Sequence, residues 1–299
     1  MPKPERFEQA PTVEQDIRER DYELLKDYVN DIYEKSEAEE EVIESFKEHN
    51  ETVLKYADNL AKKEEINPEE EEILKTATIL HDVSKLGTEE GEEVPLVKHG
   101  WESAVMAEKK LEELGKSEEF IKGVKKAIER HMGPIPGFME REAKKWEKET
   151  GEKIKFPRPE IITEKILYDA DMLALIDPQG IEKIINIRKN NEIFIKDDRE
   201  TAAREGISQE EASLRSALKS GQEATASLFT DSAREKAKEL LKESETQIRR
   251  KLEKEKKVSK VITEAERIAR EEAEKIALEE AREEAEKIFE EEKKEVEIK

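Results

Sequence analysis

EEEEILKTATILHDVSKLG, residues 69–87, begins as an acidic, helix-favouring run and ends on a histidine joined to an aspartate. Ile73, Leu74, Ala77 and Leu80 recur at three- and four-residue spacing, which makes one face of a helix apolar. That stripe delivers His81 and Asp82 at the inner end of the helix. Asn67-Pro68 upstream is a start signal, and Gly87 is read as the stop. A buried His-Asp pair is costly unless something satisfies it, so the next question is what faces it.

The neighbouring segments answer with the same pattern. In VIESFKEHNETVLKYADNLAKK (42–63), Val42, Phe46, His49, Val53 and Leu60 share a face, so His49 lies on the buried side of a helix. LVKHGWESAVMAEKKLEELG (96–115) reads as a helix with His99 in its first turn and Gly115 as its C-terminal cap. In SEEFIKGVKKAIERHMGPIPGF (117–138), Ile121, Val124, Ile128 and His131 lie along one face before glycines and prolines end the periodicity. EIITEKILYDADMLALID (160–177) is again helical, with Leu167, Asp171 and Ala174 on one side. Four histidines are all the chain has, and each falls on or beside an apolar helical face within the first 131 residues. Ordinary core histidines explain any one of these; four together, with an aspartate beside one of them, point to imidazoles and carboxylates converging from separate helices on metal.

In order, His49, the His81-Asp82 pair of LHDVSK, His99, His131 and the Asp171 of YDADML reproduce an H…HD…H…H…D series, and this series resembles the signature of the HD superfamily of metal-dependent phosphohydrolases. The resemblance implies an all-α, HD-type helical bundle. It implies one metal on His49, His81, Asp82 and Asp171, and a second, bridged by Asp82, on His99 and His131. Two ions so placed acidify water and neutralise developing phosphoryl charge, so the implied activity is hydrolysis of the phosphate ester of a small nucleotide or another phosphorylated metabolite, with Asp82 and Lys85 in catalytic roles. Nitrogen and oxygen ligands favour Fe or Mn, with Co, Ni and Zn as further candidates. Lys85, three residues after Asp82, is the candidate phosphate contact; Arg130 and Gly133 are further candidate substrate contacts, and Asp169 faces elsewhere. Ser84 stands where many relatives have glycine and is expected to narrow the pocket. Two other readings compete: a di-iron oxygenase on the same scaffold, and a non-enzymatic scaffold whose long C-terminal helix does the work.

Composition sets the boundaries. Hydrophobic residues make up 35% and charged residues 44% of 299, so a core must be built from stripes, and helix periodicity supplies them. The absence of cysteine excludes disulfides and thiolate chemistry. A net charge of −22 argues against duplex nucleic acid and anionic membranes as partners, while a small phosphorylated substrate stays compatible through local metal and lysine charge. No run has the length of a membrane span, and the expected location is cytoplasmic.

The expected organisation is an N-terminal arm with a first amphipathic helix (1–40), a catalytic helical domain (41–245) and a long charged helix (246–299). In the first helix Ile17, Leu24, Leu25, Tyr28, Val29 and Ile32 recur at helical spacing. Residues 134–160 read as an insertion or lid containing Trp146 and Phe156. NEIFIKDD (191–198) carries a weak alternating pattern that suggests a short strand edge. The last segment repeats EAERIA, EAEKIA and EAEKIF, with alanines four apart from Ala265 to Ala285 joined by Ile268, Ile276, Ile288 and Phe289. Such a coiled-coil-like stripe suits a homo-oligomer or a partner protein.

Overall fold

In the computed structural model, residues 13–89, 94–133, 138–190 and 192–297 are described, and all their regular structure is helical. The order is α1 (Val13–Lys35), α2 (Glu40–Lys63), α3 (Pro68–Leu80), α4 (His99–Glu113), α5 (Glu118–His131), α6 (Phe138–Thr150), α7 (Ile162–Ile176), α8 (Pro178–Asn190), α9 (Glu192–Glu205), α10 (Gln209–Ser227) and α11 (Asp231–Glu297). The all-α class follows. The strand suggested for 191–198 does not form among its described residues: 192–198 open α9, where Asp198 is buried and bonded to Arg188, Ser213 and Ser216, and residue 191 lies outside the described residues. Tertiary burial of one aspartate at helical register outweighs a four-residue alternation.

α7 is the axis of the bundle. Twelve of its fifteen residues are buried, including Ile166, Leu167, Tyr168, Met172 and Leu173, as expected of a helix apolar nearly all round. α2, α3, α5, α8 and α10 pack against it. α1 buries Tyr22, Leu25, Tyr28, Val29, Ile32 and Tyr33, whereas Ile17 and Leu24 of the expected stripe are exposed. The buried face is thus rotated toward the tyrosines.

Local signals position the ends of the helices. Asn67 Oδ1 accepts from the N–H groups of Glu69 and Glu70, while Glu70 accepts from the N–H of Asn67, so α3 starts on a full capping box. Gly115 adopts φ +68° after α4, with the Lys116 N–H bonded to Leu111 O, so the glycine ends that helix in a left-handed turn. α3 itself stops at Leu80 rather than at Gly87. Tight turns follow, closed by bonds from Val83 N to Leu80 O, Lys85 N to Asp82 O and Gly87 N to Ser84 O. This tightening projects Asp82 and Lys85 to the same side.

The chain divides into two units, Met1–Glu245 and Thr246–Lys299. Among the described residues no helix is long and apolar enough to cross a membrane.

Candidate metal centre

Five helices bring the six residues of the ordered series together. His49 comes from the middle of α2, His81 and Asp82 from the turn after α3, His99 from the start of α4, His131 from the end of α5 and Asp171 from α7. Asp82 is fully buried and stands between two groups. Its Oδ2 lies 3.7 Å from His49 Nε2 and 3.6 Å from His81 Nε2; its Oδ1 lies 3.1 Å from His99 Nε2 and 3.6 Å from His131 Nε2. Asp171 Oδ1 is 3.1 Å from His49 Nε2. Two clusters sharing Asp82 result, His49–His81–Asp82 and Asp82–His99–His131.

The protons on the rings can be assigned from their partners. His81 Nδ1 lies 2.8 Å from Thr78 O, His99 Nδ1 2.6 Å from Leu96 O and His131 Nδ1 2.6 Å from Ile128 O. A carbonyl only accepts, so each Nδ1 carries the hydrogen and, in the neutral ring, each Nε2 presents a bare lone pair. Burial holds the His81 imidazole down to about pKa 4 and pushes that of His99 down as well, so both are neutral near pH 7. Yet His99 Nε2 and His131 Nε2 are only 3.2 Å apart. With both Nδ1 atoms bonded to backbone carbonyls, a bare Nε2 on each ring would put two lone pairs at that distance, an arrangement that a cation near both relieves. His49 Nε2, His81 Nε2 and Asp82 Oδ1 are likewise buried without a hydrogen-bond partner. A convergent set of bare imidazole nitrogens and carboxylate oxygens, oriented by Nδ1–H bonds to the backbone, fits divalent transition metals.

Lys85 supplies positive charge at the edge of the centre. Its Nζ donates to Asp82 Oδ2 at 2.6 Å, and about a fifth of the side chain is exposed. Burial works against its charge, but Asp82 and Asp171 outweigh this and raise its pKa. Burial likewise pushes the Asp82 carboxyl upward, and Lys85 with the surrounding imidazoles holds it well below the usual range.

Three expectations change. Arg130 is taken up by Glu164, at 2.8 Å, and Glu160, at 2.9 Å. Glu164 is almost fully buried and also accepts from the N–H groups of Glu160 and Ile161, so Arg130 ties α5 to the start of α7 instead of being presented to a phosphate. Gly133 is buried, and a Cβ there would come within 2.5 Å of the Tyr168 ring; close packing, not ligand approach, explains the glycine. Ser84 does not narrow a pocket. Fully buried, it donates from Oγ to His99 O (2.9 Å), and its N–H donates to Ser103 Oγ (3.1 Å), with the two hydroxyls 2.9 Å apart. Asp169, as expected, points away and binds Thr230 and the Phe229 N–H before α11.

Some contributors had no sequence signal. Ser103 is one, because its partner lies 19 residues away in another element. Tyr33 is another: its hydroxyl donates to Asp82 O at 2.9 Å and accepts from Asn50 Nδ2 at 3.2 Å, so α1 braces both the Asp82 turn and the residue after His49. Trp146, from the 134–160 segment, packs with Val97, Met132, Ile154 and Phe156, and Lys98, the residue before His99, lies 5.1 Å over its ring. Residues 134–137 of that segment lie outside the described residues.

Comparison with known proteins adds the family. The crystal structure of an HD-superfamily hydrolase from Bacillus thuringiensis is similar over 79% of this chain and 97% of its own, with 19% identity and a TM-score of 0.47. No curated protein matches the sequence at a significant level. The model of the HD domain matches residues 24–176, just over half of the 299, and this span contains all six converging residues. The chain therefore belongs to the HD-domain family.

Proposed function

We propose that the protein is a metal-dependent phosphohydrolase acting on a small phosphate ester, a nucleotide or another phosphorylated metabolite. The observation that carries this reading is the set of bare, buried ligand atoms: Nε2 of His49 and His81 and Oδ1 of Asp82 are without hydrogen-bond partners, and the Nε2 atoms of His99 and His131 lie 3.2 Å apart. His49, His81, Asp82 and Asp171 would hold one divalent ion and Asp82, His99 and His131 a second, with Fe or Mn favoured by the mixed nitrogen and oxygen donors. Such ions, when bound, acidify water and neutralise phosphoryl oxygens.

The protein's own groups do the rest. Backbone carbonyls of Thr78, Leu96 and Ile128 lock three rings with Nε2 facing inward. Lys85 stays protonated beside Asp82 and offers an ammonium to an incoming anion from the partly exposed edge. Neither cysteine nor another side-chain nucleophile is required when water is the attacking group.

The test is to load metal-free protein with Mn(II) or Fe(II) and follow phosphate release from p-nitrophenyl phosphate, nucleoside monophosphates and cyclic nucleotides. Turnover lost in Asp82→Asn supports the reading. Metal uptake near two per chain without turnover on any of these esters would overturn the phosphohydrolase assignment and leave the metal centre standing.

A further inference from the structure

The two tryptophans of the chain have different surroundings. Trp146 packs with Val97, Met132, Ile154 and Phe156, as a large aromatic side chain in a core does. Trp101, in the first turn of α4, is 48% exposed and is part of neither that cluster nor the main core. It lines a cleft of about 300 Å³ together with Lys98, Glu102, Glu152, Lys153, Ile154 and Lys155. The cleft is separate from the metal centre. Trp101 follows His99 by two residues, about 200° around the helix, so it stands on the side of α4 away from His99.

The cleft is braced by the protein's own contacts. Lys98 Nζ lies 2.7 Å from Glu152 Oε2 and 5.1 Å over the Trp146 ring, Trp146 Nε1 donates to Glu152 Oε2 at 3.2 Å, and the Glu152 N–H donates to Thr150 Oγ1 at 3.1 Å. Lys98 and Glu152 therefore neutralise each other. Lys153 and Lys155 are both exposed and, among the described residues, paired with no carboxylate. Glu102 alone opposes them, so the unpaired charge around the cleft is positive in a chain whose net charge is −22.

An exposed indole beside two unpaired ammonium groups suits a molecule that carries a flat ring and an anion together. We propose that the cleft binds a small aromatic phosphate of the nucleoside monophosphate class, with its base stacked on Trp101 and its phosphate met by Lys153 and Lys155. The volume, at the lower end of small-molecule sites, matches one such ligand. The site requires neither metal nor hydrolysis, so it stands or falls independently of the phosphohydrolase reading.

The experiment uses the full chain in excess chelator, so that no metal contributes to binding. Titration with AMP, GMP, CMP and UMP is expected to quench tryptophan fluorescence saturably for at least one of them, with a dissociation constant below about 1 mM. The matching nucleoside and inorganic phosphate are each expected to bind about tenfold more weakly or worse, because each offers only half of the contacts. Trp146→Phe is expected to keep the quench, which assigns it to Trp101. Followed by calorimetry, Trp101→Leu is expected to weaken binding about fivefold or more, as loss of a stacking ring does. Lys153→Ala with Lys155→Ala is expected to weaken the nucleotide and leave the nucleoside unchanged. All three side chains are at the surface, so the thermal midpoint of each variant is expected to stay at the parent value.

No saturable binding of any of the four nucleotides would overturn the proposal. So would binding that survives Trp101→Leu, or that the double lysine variant leaves unchanged. Binding that appears only when Mn(II) is restored would place the nucleotide at the metal centre and overturn it as well.

Discussion

Ser103→Ala tests how the two halves of the centre are held together. In the native chain the Ser84 N–H donates to Ser103 Oγ, Ser103 donates to Ser84 Oγ, and Ser84 Oγ donates to the carbonyl of His99, all within a region closed to solvent. The turn that carries Asp82 is thereby tied to the first residue of α4. Alanine removes one hydroxyl and leaves the Ser84 N–H buried without an acceptor, a cost of about 1–3 kcal/mol. The hydroxyl pair adds roughly 1 kcal/mol. Urea unfolding of metal-free protein should show the midpoint falling with an unchanged m-value. In the two-ion arrangement proposed above, titration of Mn(II) into the same protein should show the ion on Asp82, His99 and His131 losing affinity roughly 10–100-fold, as outer-shell changes at metal sites typically do. The ion proposed on His49, His81, Asp82 and Asp171 should change much less. If stability falls by this amount while both metal affinities stay put, Ser103 only packs the bundle and does not position His99. If stability is unchanged, the hydroxyl network itself is refuted.

Three other outcomes follow from the same geometry. Lys85→Met removes the cation 2.6 Å from buried Asp82 and should destabilise metal-free protein by about 2–4 kcal/mol, below the roughly 3–5 of a fully buried pair because a fifth of the lysine is solvated; metal loading should erase most of the loss, measured as the difference in thermal midpoint with and without Mn(II). Arg130→Ala should cost stability, about 1–3 kcal/mol from the buried Glu164 left behind, yet leave KM for a phosphate ester within about twofold; a tenfold rise would return Arg130 to the substrate. His81 binds a proton in the unfolded chain below pH 6.5 but refuses it in the folded one until about pH 4, so metal-free protein should be most stable above 6.5 and lose up to about 3 kcal/mol as pH falls toward 4. Replacing His81 with Gln should flatten that part of the pH–stability curve, and an unaltered slope would show that His81 does not cause it.

Much of the centre could be read in one dimension because a buried polar residue on an apolar helical face leaves a periodic trace. His49, His81, His99, His131 and Asp171 each interrupt a three- and four-residue hydrophobic rhythm, and that rhythm also specifies the all-helical class and the Asn67-Pro68 start of α3. Gly115 announces the end of α4 for the same local reason: only its own backbone conformation is at issue. Residues 191–198 misled because four alternating positions carry less information than the burial of Asp198 against Arg188 and Ser213.

What the sequence alone determined, then, is which residues are apolar, which are ligand-competent and on which helical face each lies, since these follow from spacing within one element. Only the tertiary structure decided that Arg130 is consumed by Glu160 and Glu164, that Gly133 makes room for Tyr168, and that Tyr33, Ser84 and Ser103 brace the turn bearing Asp82. The physical reason is that hydrogen bonds and close packing join atoms from different helices, and their partners are chosen by how those helices pack, which no single helix's periodicity records.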